Sequence, residues 1–142
     1  SQPRRGDLGS PTEEMLDRAA IKHLEESHKG TLERAEEAAR IGAELRTNFR
    51  KGQPLGRDEL KKLERLEKLS RSIRGRVGGS DDDEPLTDPP RDLEAALAQL
   101  AAASEDLHKN VEKTSRHVIS TTVIERANDL IQLVRLIRSF AP

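Results

Sequence analysis

Residues 12–51 read TEEMLDRAAIKHLEESHKGTLERAEEAARIGAELRTNFRK, and the fold class follows from them. The stretch contains no proline, and its apolar and small residues recur at alternating steps of three and four. That spacing places them on one side of an α-helix, so the stretch predicts a single long amphipathic helix. The stripe consists of Ile21, Leu24, His28, Thr31, Ala35, Ala38, Gly42, Leu45 and Phe49.

The middle of this stripe, from Thr31 to Gly42, consists of small residues. A second helix can approach such a surface closely and pack against backbone, which indicates a helix bundle. The composition agrees, because 33% of the 142 residues are hydrophobic, 36% are charged, and Phe49 and Phe140 are the only aromatic residues. A core of Leu, Ile, Val and Ala suits packed helices better than a sheet.

The predicted first helix has recognisable boundary signals. Ser10 is a candidate N-cap, with Pro11 at the first helical position and Glu13 completing a capping box. Gly52 stops the helix near Arg50. At 1.5 Å per residue the helix spans roughly 58 Å, which is unusually long for a small domain.

A second helix is predicted to begin near Gly56 or Arg57 and to end at Gly78-Gly79. A short Gly/Pro turn joins it to the first helix, so the two form an antiparallel hairpin. This second helix is about half as long as the first. Its apolar positions are Leu60, Leu63, Leu66, Leu69, Ile73 and Val77.

Residues 80–90 form an acidic, proline-containing linker before a predicted third helix. Asp88 is a candidate cap for that helix, with Pro89 at its first position. A regular apolar stripe follows. Its members are Leu93, Leu97, Leu100, Ser104, Leu107 and Val111.

Residues 113–122 are ambiguous, because their β-branched cluster favours strand while no partner strand exists elsewhere. We interpret them as a turn before a fourth helix. That helix begins after a cap at Thr114 or Ser115, or only near Ser120, and runs to about Phe140. Its apolar residues cover a wider arc than contact with a single neighbouring helix requires. The arc comprises Val123, Ala127, Leu130, Val134 and Ile137, together with Ile131, Leu133, Leu136 and Phe140.

These elements predict an all-α fold, a four-helix bundle of two antiparallel hairpins in up-down order with an unusually long first helix. Residues 1–9 are expected to be a flexible leader, and residues 10–142 a single helical domain. Hairpin one covers 10–79, the linker 80–90 and hairpin two 91–142. Because helix one exceeds its neighbours in length, part of it either projects or packs against more than one helix.

The formal net charge is −1, so the whole chain has no strong attraction to nucleic acid or anionic lipid. Residues 1–79 carry a net charge of +4 and residues 80–142 a net charge of −5, which predicts that the two halves dock with complementary rims. The absence of cysteine excludes a disulfide or a thiolate site.

No apolar run approaches the roughly 20 residues of a membrane-spanning helix, so a soluble protein is expected. The chain begins at Ser1 without an initiator Met, which is typical of a tag remnant or of a cleaved export signal. This favours an exported or periplasmic location slightly over a cytoplasmic one, without settling the compartment.

Two Glu-x-x-His pairs are the candidate metal ligands. Glu25 and His28 lie on helix one, and Glu105 and His108 lie on helix three. Residues three apart share a helix face, and pairs of this kind build di-metal sites inside four-helix bundles. His108 lies at the edge of the apolar stripe of helix three, however, and Glu105 points further outward. The simpler interpretation is that His28 is a partly buried imidazole bonded to a neighbouring carboxylate.

The basic end of helix two is the best candidate for binding phosphate or nucleic acid, and its cations also complement the helix dipole. It has no interleaved aromatic residues to stack bases, so nucleic-acid binding is not expected. The cations there are Arg65, Lys68, Arg71, Arg74 and Arg76.

The sequence contains no phosphate loop and no nucleophile elbow, so we expect neither an enzyme nor a bound cofactor. The leading hypothesis is a non-enzymatic helical scaffold or interaction protein that binds a protein partner or self-associates. A metal-binding bundle and weak phosphate or nucleic-acid binding are the alternatives, and the sequence says nothing about small molecules. The candidate partner interface consists of Ile131, Leu133, Leu136, Phe140, Ala35, Ala38 and Gly42.

Overall fold

A computed structural model of the chain describes residues 11–114 and 120–141. The described residues form four α-helices and no strand. Helix α1 covers Pro11–Arg50, α2 Arg57–Arg76, α3 Leu93–Lys113 and α4 Thr121–Phe140. The predicted all-α four-helix bundle, with a first helix twice the length of the second, is confirmed.

Each helix packs against two others, giving the contacts α1–α2, α1–α3, α3–α4 and α2–α4. Helix α2 is antiparallel to α1, because Arg65 pairs with Glu37 while Arg76, at the end of α2, reaches back to Ser27. Helix α3 is antiparallel to α1 as well. Its Ser104 packs against Gly42, and its first turn lines a groove with the last turn of α1.

Helix α4 is antiparallel to both of its neighbours. It pairs with α3 through Arg126 and Asp106, and it approaches α2 through Arg135 and Glu67. Helices α2 and α3 therefore run in the same direction, and within the described residues they are not packed side by side. The expected up-down order is wrong, since that order would place α2 beside α3.

The reason for this order lies in the connection between α2 and α3. Residues 77–92 run along the bundle from the end where α2 stops to the opposite end, where the hairpin turn between α1 and α2 also lies. Asn128 on α4 exchanges hydrogen bonds with the backbone of Glu84, at 3.1 and 2.9 Å. Further along, Leu86 packs against the core and Pro90 is buried. The segment is thus a crossover bound to the outside of the bundle.

The helix boundaries agree with the sequence at three points. Helix α1 begins at Pro11; its expected cap, Ser10, and the leader lie outside the described residues. Gly56 precedes α2, and its N–H donates to Glu59 Oε1 at 2.9 Å. Ser120 caps α4 by accepting from the Val123 N–H at 3.3 Å, which confirms the later of the two expected starts.

The expected start of α3 is wrong. The helix begins at Leu93, where Asp92 Oδ1 accepts from the Ala95 N–H at 2.7 Å. Proline restricts the residue before it to extended conformations, so Pro90 keeps Pro89 out of the helix and excludes a cap at Asp88. Of the two candidate caps after α3, Thr114 ends that helix, and Ser115 lies outside the described residues.

The core is aliphatic and lies between all four helices. Small residues of α1 face α3, and a Cβ added to Gly42 would collide with Ser104 Oγ. Ala35 and Ala38 are fully buried on the same stripe. The large side chains come mainly from the other helices. The largest fully buried ones are Leu45, Leu63, Leu66, Ile73, Leu97, Leu100, Leu107, Val111, Leu130, Ile131, Leu133 and Ile137.

Candidate functional site

The first part of α1, residues 11–26, lies outside the bundle, and we call it the arm. Every residue of the arm is exposed, whereas Ser27 is half-buried and Thr31 is the first buried residue of the helix. The bundle end coincides with this boundary, because Arg76 Nη1 donates to the Ser27 carbonyl at 3.2 Å. The arm is about 24 Å long at 1.5 Å per residue.

The arm exposes four large apolar side chains. Met15 is 67% exposed, Leu16 65%, Ile21 45% and Leu24 37%. Leu16, Ala20 and Leu24 follow one another at steps of four, so they lie on a single line along the helix. This line continues the face that α2 and α3 cover further along α1. The arm therefore extends the core-facing stripe of α1. The rest of the described chain supplies no helix that covers this extension.

The arm is acidic. It contains five carboxylates and two cations, a formal net charge of −3 with His neutral. Arg18 pairs with Glu14 at 3.6 Å on the exposed surface. Asp17 and Glu13 lie on the apolar side, close to the line of Leu16, Ala20 and Leu24. A partner for this surface must accommodate carboxylates beside its apolar contacts.

The two predicted Glu-x-x-His pairs do not come together. Glu25 and Glu105 are exposed, while His28 and His108 are half-buried. Gly42 packs on Ser104, so His108 lies opposite residue 38 of α1 and about 15 Å along the axis from His28. Instead, His108 Nε2 lies 3.8 Å from Glu112 Oε2. No group of three or more His, Asp or Glu side chains in residues 11–114 and 120–141 could hold a metal ion.

Most of the predicted interface residues belong to the core. Ala35, Ala38, Gly42, Ile131 and Leu133 are buried against neighbouring helices. Two further members of that set retain exposure, since Leu136 is half-buried and Phe140 is 37% exposed. The wide apolar arc of α4 therefore faces the middle of the bundle.

Sequence reasoning did not identify the arm as a binding surface, although a signal was present. The apolar stripe of α1 begins at Ile21 and Leu24, and Leu16 extends the same face. No other predicted helix was long enough to cover that part. The mismatch in length was itself the indication that an amphipathic segment would remain uncovered.

The basic end of α2 is largely engaged by the protein itself. Arg65 makes two hydrogen bonds of 2.8 Å to Glu37, and the guanidinium holds the pKa of that carboxyl below its usual value. Arg71 pairs with Glu67 at 3.0 Å, on the same helix. Arg74 is buried and donates to Asp83 of the crossover. These cations are positioned for internal ion pairs, and Lys68 is exposed beside them.

A groove of about 520 Å³ lies between the crossover and α4. Both of its arginines are already paired, because Arg126 donates to Asp129 at 2.6 Å and to Asp106 at 2.9 Å, and Arg74 donates to Asp83 at 2.9 Å. Burial of the Arg126 guanidinium would lower its pKa, but the hydrogen bonds to Asp129 and Asp106 raise the pKa above its usual value. The hydroxyl side chains of the groove are Ser80, Thr87 and Thr121, and among the described residues no imidazole lines it.

No known family model matches this chain, and neither characterised proteins nor solved structures show significant similarity to it. Among the described residues, no helix has both the length and the apolar character needed to cross a membrane.

Proposed function

We propose that this protein is a non-enzymatic helical interaction protein and that the arm is the surface through which it binds its partner. The observation that carries the proposal is the exposure of Leu16, Ile21 and Leu24 on one continuous face of a helix. Exposed apolar stripes of this kind are typical of helices that dock against another helix or into a groove.

The bundle supports this role by presenting the arm rigidly. The arm and the bundle share one unbroken helix, and the second half of that helix is held between α2 and α3. Close packing at Gly42 and Ser104 fixes the position of α1 in the bundle. A partner therefore meets a surface that is already helical, which lowers the entropic cost of binding.

The two alternatives receive less support from the geometry. The two Glu-x-x-His pairs do not come together, and most cations of α2 are engaged in ion pairs or backbone contacts. Neither surface presents a set of groups that converge on one ligand. The arm differs from both because, within the described part of the chain, no second helix covers its apolar side chains.

A photo-crosslinking amino acid placed in the arm tests the proposal in the cells that make the protein. We expect the probe at position 24 to give discrete adducts, because Leu24 lies on the proposed contact face. The same probe at Lys22, on the opposite face of the arm, should give few. Adding Leu16→Asp to the position 24 probe should remove the adducts. Equal labelling from both faces, or no adducts at position 24, would refute the arm as a binding surface.

A further inference from the structure

We propose that the partner of the arm is a second copy of this chain and that the two arms pack antiparallel, crossing at Ala20. This inference rests on the proposed function, because it names the occupant of the same apolar face. Residues 14–26 of one copy would lie along residues 14–26 of the other, since that range is centred on Ala20.

The apolar line of the arm is self-complementary. Leu16 and Leu24 lie four residues on either side of Ala20. A two-fold axis through Ala20 therefore places Leu16 of each copy opposite Leu24 of the other, as an isologous contact requires. The small side chain at the centre permits the two helix axes to approach closely. Ile21 widens the apolar contact on one side.

Charge favours the antiparallel orientation. Crossing at Ala20 brings Glu13 of one arm opposite Ser27 of the other copy. At that point Arg76 is exposed, and its guanidinium already donates to the Ser27 carbonyl. The acidic arm thus ends at the basic end of the partner's α2. A parallel pairing would instead place Glu13 beside Glu13 and Asp17 beside Asp17.

The size of the contact predicts a weak dimer. The overlap of the two arms is about 20 Å long and involves one helix from each copy. Such a contact belongs to the small class of interfaces, below about 1,200 Å² of total buried surface. We therefore expect a monomer–dimer equilibrium with a dissociation constant on the order of micromolar, visible only across a wide concentration range.

Sedimentation equilibrium of the full chain at concentrations from about 0.1 μM to 1 mM tests this proposal, since that range brackets a micromolar dissociation constant. Wild type should fit a monomer–dimer model. Leu24→Asp should raise the dissociation constant at least about tenfold, because it places a carboxylate in the apolar contact. Lys22→Asp is the matched control, since it introduces the same group on the opposite face of the arm. The control should change the constant less than about threefold.

Circular dichroism must show that both variants melt like wild type, as expected for exposed positions. Leu16→Asp provides a second variant on the contact face. A wild type that stays monomeric up to about 1 mM would overturn the dimer, because that is far above the range expected for it. So would a dimer that Leu24→Asp leaves intact. If wild type is monomeric while the position 24 probe captures a different protein, only this inference fails. If that probe also captures nothing, the proposed function fails with it.

Discussion

Arg74 Nη1 donates to Asp83 Oδ1 at 2.9 Å, joining an arginine that is almost completely buried in α2 to a carboxylate on the crossover. The other oxygen of Asp83 accepts from Arg135 of α4 at 2.7 Å, and Arg71 lies 3.8 Å away. One carboxylate therefore connects α2, the crossover and α4. This arrangement fixes the path along which the chain returns to begin α3.

Asp83→Asn tests the importance of this connection. The substitution leaves the buried guanidinium of Arg74 without its nearest counter-charge, and we expect a loss of about 2–4 kcal/mol in the free energy of unfolding. Urea titration at pH 7 measures the loss. Asp82→Asn is the control, since Asp82 is exposed one residue away and should change stability by less than about 0.5 kcal/mol. Equal effects at both positions would show that Asp83 has no special role.

Stability should fall at acid pH through two ion pairs. The Arg74 hydrogen bond holds the pKa of Asp83 below its usual value, with Arg135 and Arg71 adding to the effect against the opposing influence of burial. Arg65 does the same for Glu37. A carboxyl with a lowered folded pKa stabilises fully above its unfolded pKa of about 4, and that contribution disappears as the pH falls through the lowered value.

Thermal melts between pH 7 and pH 2 measure this dependence. The melting temperature of wild type should decrease below about pH 4, and Asp83→Asn should show a shallower decrease because one of the two groups no longer titrates. Identical slopes for the two proteins below pH 4 would contradict the assignment of this acid sensitivity to Asp83.

The sequence was sufficient to predict helices, because helix periodicity and Gly/Pro punctuation are local signals. It was not sufficient to predict how the hairpins are arranged. The order of the helices depends on where the crossover runs. That path depends on contacts between the crossover and a helix, such as Arg74–Asp83 and Asn128–Glu84, which helix periodicity does not encode. An acidic linker gave no indication that its third aspartate would bind a buried arginine.

Gly42→Ala should destabilise the bundle even though alanine favours helices. The new Cβ would collide with Ser104 Oγ and would lie 3.2 Å from Ser104 Cβ, so the hydroxyl must rotate away and Ser104 must shift slightly. We expect a loss of about 1–3 kcal/mol in the free energy of unfolding.

Chemical denaturation of the double variant Gly42→Ala, Ser104→Ala isolates the contact. Removing the hydroxyl should restore about 1 kcal/mol or more relative to additivity. Gly75→Ala is the control, because a Cβ at Gly75 meets nothing within 4 Å, and it should be neutral or stabilising by up to about 1 kcal/mol. Strict additivity in the double variant would argue against the close approach.

Asp92→Ala should cost about 1 kcal/mol, since it removes the oxygen that accepts from the Ala95 N–H at the start of α3. Asp88→Ala, at the position that sequence alone favoured as the cap, should change stability by less than about 0.5 kcal/mol. Thermal unfolding of the two variants discriminates between the starts. A larger effect at Asp88 than at Asp92 would mean that the helix begins earlier than Leu93.

The functional surface was only partly predictable. Apolar residues of α4 such as Leu133 were interpreted as a partner surface because the arc was wide, but a helix between two neighbours needs a wide arc simply to fill the core. Leu24 was part of the stripe expected to face inward, and Leu16 was not singled out. Their exposure depends on where α2 and α3 end relative to α1, which periodicity does not encode.

The most direct test of the account is a series of single-cysteine variants, because the chain contains no cysteine of its own. A disulfide requires Cβ atoms about 3.5–4.5 Å apart, so each variant reports on one position. Under mild oxidation, Ala20→Cys should form covalent dimers rapidly. Leu16→Cys should not, because its two copies lie about 12 Å apart along the arms, although it should cross-link to Leu24→Cys in a mixture. Rapid self-linking of Leu16→Cys, or equal rates for Ala20→Cys and the opposite-face variant Lys22→Cys, would contradict antiparallel pairing of the arms.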